Sequence, residues 1–280
     1  MNYEDNPKSI KYYVKKYLLR HKAEIKNKTI VDIPAGNGIT SKIIADCGGI
    51  PLAFDLFPEY FRIENIKCEQ ADVRQGIPLP DKTADYLICQ EGIEHFADQL
   101  SAIKEFNRIL KKQGILLITT PNYSNLRSKI SYLLSESERF NSSMPPNEFD
   151  SVWMTDQNVN KEIYLGHIFL LGIQKLRVMA SLSGFRIKKI HPTRIKTTSL
   201  FMLFFLYPFI LLSNYYTFTK NYRKHKNNKN RQNIYREIFR LSINIRLLID
   251  SHLMVEFEKK SDYQDVYANL KSQFTEFGTT

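Results

Sequence analysis

Cysteine is scarce. The 280-residue chain has three, Cys47, Cys68 and Cys89, spaced 21 apart with no C-x-x-C pair. That spacing excludes a disulfide scaffold or a zinc ribbon and reads as reduced packing residues. Acid is missing from a long stretch: residues 164–236 hold no Asp or Glu but 14 Lys and Arg, more than the whole formal charge of +11. The remainder is therefore slightly acidic. A block this basic faces nucleic acid, an anionic membrane or an acidic substrate, and charge alone does not choose. Long apolar runs are missing too. The longest, residues 200–212, is L-F-M-L-F-F-L-Y-P-F-I-L-L. As a helix it would reach only ~20 Å, short of a ~30 Å hydrocarbon core, so no crossing is expected. The first residues lack an apolar h-region, and cytosolic synthesis is expected. An apolar fraction of 43% still supplies a core for one large domain or two.

What is present is a cofactor cradle. Residues 29–49, T-I-V-D-I-P-A-G-N-G-I-T-S-K-I-I-A-D-C-G-G, read as a strand, a glycine turn at Gly36 and Gly38, and a helix start facing a ligand. A second strand is expected at 51–54, and Asp55 ends it 23 positions after Asp32, where a carboxylate reaches the hydroxyls of a ribose. Ser41 stands where the third glycine of a dinucleotide loop would be, and no G-K-S/T of a phosphate loop occurs. S-adenosylmethionine (SAM) carries no phosphate and fits the lesser cradle better. Further strands are expected at 67–70, 86–89 and 115–119, alternating with helices. This predicts an α/β fold, a doubly wound, mostly parallel sheet with helices on both faces, which the family resemblance of these motifs implies to be seven-stranded and Rossmann-like.

These motifs resemble the class I SAM-dependent methyltransferases, whose first motif D-x-G-x-G-x-G reads D-I-P-A-G-N-G here, with Pro34 at the first glycine. The resemblance runs in order from about residue 30 to 190. It places Asp32, Ala35, Gly36, Gly38, Asp55, Leu56 and Gln90 at the cofactor. From E-Q-A-D-V it gives Asp72 the adenine amino group and the Val73 N–H the ring. The segment E-G-I-E-H-F, residues 91–96, resembles the family's E-x-x-E-H. A histidine after the fourth strand is the obvious general base for an oxygen acceptor, which nominates His95, with His167 second. Glu91, Glu94 and His95, at i, i+3 and i+4, would share one helical face as a small metal site. The other reading is that of carboxylates favoured at a helix start. N/D-P-P-Y/F, the clamp of amino-group methylases, is replaced by Q-E-G-I.

Domain organisation is expected as a methyltransferase core over 1–195, an insertion over 196–250, a last antiparallel strand within 251–260 and a tail over 261–280. A first helix over 7–26 would cover the cofactor. A lid over the acceptor is expected at 123–163, with the only tryptophan, Trp153. The insertion pairs the run at 200–212 with Tyr215 and Tyr216 and then with Lys220, Arg223, Lys224, Lys226, Lys229 and Arg231. An apolar wedge with an aromatic edge and a basic flank suits an anionic membrane through residues 200–231, the alternative being a buried helix or a dimer interface. A second, amphipathic helix is expected at 234–249.

The expected function is methylation, by O-methyl transfer, of a small-molecule or lipid-linked acceptor. The resemblance to ubiquinone-type and surface-polysaccharide methyltransferases implies a membrane-borne, glycan-pathway or quinone-like one. The site is expected at the inner face of a bacterial membrane. An RNA methyltransferase using the basic insertion, and a non-catalytic SAM-binding scaffold, are the other readings. The apolar run argues against nucleic acid.

Overall fold

The computed structural model describes residues 2–137, 145, 147–155, 163–166 and 169–277. Its elements run α1 (Ile10–Arg20), α2 (Lys22–Ile25), β1 (Thr29–Asp32), α3 (Ile39–Asp46), β2 (Ile50–Asp55), β3 (Cys68–Gln70), β4 (Ala84–Gln90), α4 (Gln99–Ile109), β5 (Leu110–Pro121) and α5 (Leu126–Ser135). Then come α6 (Glu148–Ser151), β6 (Val152–Thr155), β7 (Ile163–Leu165), α7 (Ile173–Leu182), β8 (Phe185–Ile190), α8 (Thr197–Lys224), α9 (Lys229–Ser242), α10 (Ile245–Ile249), β9 (His252–Lys259) and α11 (Tyr263–Phe277). Two compact units emerge, one of residues 1–120, 177–191 and 254–280, the other of 121–176 and 192–253.

The first unit holds the seven-stranded sheet, in the order β3-β2-β1-β4-β5-β9-β8. β1 pairs in parallel with β2 and β4, β2 with β3, and β4 with β5, whereas β8 and β9 run antiparallel. Buried on both faces, the central strands read as apolar runs, Ile30 and Val31 or Leu87, Ile88 and Cys89, rather than as alternation. Val14, Tyr17 and Leu18 of α1 close over Ile30, Ile44, Ile88, Leu117 and Met254 in one core. Ser9 caps α1, its side chain accepting from the Lys11 N–H. The sheet order reverses between β1 and β4, and in such a fold the ligand crevice opens there, at the carboxyl ends of the strands.

Several expectations change in detail. The fifth strand is 12 residues long, not five, because the turn expected before it is a bulge inside the strand: Ala84 pairs with Leu110 and Tyr86 with Ile115, and Gln113 takes up φ 64°. Most of the tail expected at 261–280 forms α11. The helix expected at 234–249 is two, α9 and α10, because Asn244 starts a new one by accepting from the Leu247 N–H at 3.3 Å.

The largest correction concerns the apolar run. It lies inside α8, 28 residues long, so at ~1.5 Å per residue the helix reaches ~42 Å. The uncharged residues 213–219 extend it, and Pro208 sits within it on the solvent side. By length and composition α8 passes as a membrane span, and the argument from length against a crossing fails. In the second unit, Met202, Leu203, Leu206, Tyr207 and Ile210 of α8 pack on Leu126, Leu248 and Ile249.

Candidate active site

The site grows from the end of β1. Asp32 is buried and accepts from Ser41 Oγ at 2.6 Å through Oδ2, while its buried Oδ1 has no hydrogen-bond partner among the described residues. Burial, helped by the charge of Asp55 and opposed by Ser41, pushes its pKa up to about 7. The loop that follows, through a cis Ile33–Pro34 peptide, is tied to β2 by the Ala35 N–H donating to the Phe54 carbonyl at 2.9 Å. Gly36 turns at φ 53°, and a Cβ added there meets nothing within 4 Å. Gly38 turns at φ 85° and begins α3 without a side-chain cap of its own, while the Ile39 N–H donates to Asn37 Oδ1 at 3.5 Å. A Cβ on Gly38 would lie 2.7 Å from Phe61 and Ile63.

Asp55, at the end of β2, accepts from the Gly36 N–H at 2.7 Å and the Phe57 N–H at 2.9 Å, one on each carboxylate oxygen. It shapes the loop as well as standing where a ribose would be held, and each oxygen keeps a second lone pair. Leu56 follows it, its carbonyl accepting from the Gln70 amide at 3.2 Å. Asp72 lies two residues beyond β3. Despite burial, its hydrogen bonds from Arg74, at 2.7 to 3.0 Å, hold its carboxyl below the usual range. Val73 is buried beside it. Gln90, ending β4, accepts from Thr40 Oγ1 at 3.2 Å.

After Gln90 the chain does not continue as an α-helix. Glu91 takes φ 49°, and only Ile93–His95 form a single 3-10 turn, so Glu91, Glu94 and His95 do not share one helical face. The i, i+3, i+4 geometry of the metal alternative is therefore corrected: it requires helix where Gly92 and a left-handed Glu91 make a corner. The two glutamates are instead held by neighbouring threonines. Thr119 Oγ1 donates to Glu91 at 3.2 Å and Thr120 Oγ1 to the buried Glu94 at 2.9 Å. Burial raises both, with Glu94 at about 7 and Glu91 pushed well up, also by the charge of Glu94. His95 is half-buried, its backbone N–H donating to the Gly92 carbonyl at 2.9 Å. His167 lies outside the described residues, as does much of the expected lid.

Ser41, Thr40, Thr119 and Thr120 were missed from the sequence. Ser41 mattered there only as a missing glycine; its position in the first turn of α3 was the available signal, because that turn faces back toward the strand end. A methyltransferase-domain family model matches residues 7–190. The chain belongs to that family.

The uncharacterized methyltransferase YcgJ of Bacillus subtilis is 28% identical over 99 residues, 32% of this chain and 39% of its own. A ubiquinone biosynthesis O-methyltransferase of Hydrogenovibrio crunogenus is 28% identical over 120 residues, 40% of this chain and 48% of its own. The match spans less than half of either relative's length. Among solved structures, YcgJ superposes with a TM-score of 0.51 at 14% identity over 89% of this chain and 99% of its own. A SAM-dependent methyltransferase from Archaeoglobus fulgidus also scores 0.51 at 14%, covering 92% and 98%. These likenesses show the methyltransferase fold, and the family implies SAM as the cofactor. The residues of the methyltransferase site fit that cofactor: the orphaned Asp32 oxygen calls for a donor, and the open space at Gly36 leaves room beside the loop.

Proposed function

We propose that this chain transfers the methyl group of SAM to an oxygen of a membrane-borne, glycan-pathway or quinone-like acceptor, working at the inner face of the cell membrane. The observation that carries the membrane half is the exposed side of α8. Phe201, Phe204, Phe205, Phe209, Leu212, Tyr215 and Tyr216 recur at spacings of three and four, and each is more than half exposed. The opposite face of α8 is committed to Leu126, Leu248 and Ile249, so the helix lies in the membrane plane rather than crossing it. Its basic end, Lys220, Arg223 and Lys224, continues into Lys226, Lys229 and Arg231, and each cation near an anionic leaflet contributes about 1 kcal/mol before screening.

The bound cofactor supplies an electrophilic methyl on a sulfonium. The chain's part is to hold, align and deprotonate. Asp32 and the Gly36–Gly38 turn hold the cofactor, with Asp55 setting the loop. Gln90, fixed by Thr40, lines the end of β4. His95 is the general base for the acceptor hydroxyl, beside two glutamates whose carboxyls burial holds well above the usual range. The ubiquinone O-methyltransferase relative supports oxygen as the acceptor atom.

The test incubates the protein with methyl-labelled SAM and membranes from its source, then separates organic, nucleic-acid and aqueous fractions. Label in the organic fraction that vanishes for Gly36→Asp is expected, and His95→Ala should lower turnover about 10²- to 10⁴-fold with SAM affinity unchanged. Label in RNA, or in no fraction, sinks the reading in favour of an RNA methyltransferase or a non-catalytic scaffold.

A further inference from the structure

The carboxyl ends of β1, β2 and β3 carry a row of acids. Asp32 ends β1, Asp55 ends β2, and Asp72 stands two residues beyond β3. Pairing fixes the row: the Ala71 N–H donates to the Asp55 carbonyl at 2.9 Å, so Asp72 directly follows the residue tied to Asp55. In the sheet order β3-β2-β1-β4 these acids lie progressively farther from the switch point between β1 and β4. SAM presents a sulfonium, a ribose and a base in succession. With its ribose at Asp55 and its sulfonium toward β1 and β4, the base falls at the end of β3, beside Asp72.

Arg74 closes on the Asp72 carboxylate with three N–H groups. Its backbone N–H donates to Oδ1 at 2.9 Å, its Nη2–H to Oδ2 at 2.7 Å, and its Nε–H is shared between the two oxygens at 3.0 and 2.9 Å. The Gln75 N–H donates to the Asp72 carbonyl at 2.9 Å, which folds the loop back and keeps the two side chains together. The side chain of Asp72 is 14% exposed and that of Arg74 54%, so the guanidinium is the outer member of the pair. These hydrogen bonds hold the Asp72 carboxyl below the usual range in spite of burial. An ionised carboxylate offers about four lone-pair sites and no donor. Three N–H groups therefore leave about one site, open to a further N–H and closed to another acceptor.

We propose that Arg74 is a positioning residue that sets base selectivity: by filling the other acceptor sites of Asp72, it leaves one for the amino group of adenine and none suited to the oxo group of hypoxanthine. The step rests on SAM as the cofactor, which the family implies, and on neither the acceptor nor the membrane. Stability gives the pair little to do, since an ion pair this open to water contributes slightly to folding. Its planar fork instead fixes the direction of the remaining lone pair, which the point charge of a lysine would not. Without Arg74 the carboxyl turns more freely and takes up a proton more readily, and a protonated carboxyl donates to an oxo group.

Calorimetry on the full chain with S-adenosylhomocysteine and S-inosylhomocysteine, which differ only in the amino or oxo form of the base, reads the selectivity without any methyl acceptor. The wild type is expected to favour the adenine form at least about 100-fold. Arg74→Gln should cut that preference at least about tenfold. Arg74→Lys, which keeps the charge and loses the fork, should cut it about threefold, and keeps the test open if the glutamine variant does not fold. Lys67→Gln, which removes an exposed cation paired with Glu69 on the same strand edge, should leave the preference within about twofold. In an Asp72→Asn background, Arg74→Gln should change the preference no further, because the residue it acts through is gone. A wild type that binds both forms alike, a preference that Arg74→Gln leaves unchanged, or equal weakening of both forms overturns the proposal. A wild type that binds neither form overturns the cofactor site itself, and the proposal with it.

Discussion

The two units invert each other's use of charge. The first buries carboxyls, Asp32, Asp55 and Glu94, and keeps its apolar side chains largely inside. The second contributes most of the acid-free basic stretch and turns Phe201, Phe204, Phe205 and Phe209 outward. A buried acid without a matching cation, and an exposed aromatic without a cover, are both unfavourable in isolation. The family implies a sulfonium cofactor for the first unit; for the second, the proposed complement is an anionic lipid surface.

The comparison breaks most readily in the second unit. Phe201→Ser/Phe204→Ser/Phe205→Ser/Phe209→Ser should lower partitioning onto anionic vesicles about 10³-fold, since each phenylalanine contributes on the order of 1 kcal/mol or more on insertion. SAM affinity, read by calorimetry, should not move. Retained vesicle binding by this variant would mean that the stripe covers another protein surface.

In the first unit, Gly38→Val combines a left-handed φ with a side chain driven into Phe61 and Ile63, and should weaken SAM about 100-fold while vesicle flotation stays as in the wild type. Unchanged SAM affinity would show that the turn is not the cradle.

The pH dependence sharpens the contrast further. Asp32 and Glu94 both titrate at about 7 when folded, against ordinary values of 3.8 and 4.5. Between those limits the folded chain binds more protons than the unfolded one, so stability without cofactor is full at acid pH, falls as pH rises through this window and stays lower above it. Asp32→Asn should therefore raise the melting temperature at pH 8, by up to about 3 kcal/mol of stability, and flatten the pH slope. It should also weaken SAM, because the cationic cofactor favours the ionised carboxylate. A variant no more stable at pH 8 than the wild type would place the burial cost elsewhere. The smallest effect expected is that of Ser41→Ala, which leaves the second Asp32 oxygen without its donor and should cost about 1–2 kcal/mol in a denaturant melt at neutral pH, less at acid pH.

The order of strands, the glycine turn and the acids that end β1 and β2 were legible because each is a local signal. Apolar runs, a D-x-x-x-G-x-G turn and an acid about 20 residues on depend on neighbours in sequence. The 91–95 segment was misread as helix because i, i+3, i+4 spacing says nothing of backbone handedness, and Glu91 is left-handed, followed by a Gly92 at which a Cβ would run into Pro34. The reach of α8 was underestimated by counting only its apolar run. What the chain's sequence determined by itself is the α/β methyltransferase fold and the strand, glycine turn and helix start that follow one another from β1 to α3, since hydrophobic periodicity and turn chemistry act locally. Tertiary structure alone decided that Ser41, Thr119 and Thr120 grip the acids, which face of α8 stays bare, and that the Arg127 N–H meets Ser199. Those outcomes depend on contacts between residues up to about 70 positions apart, and no local pattern carries them.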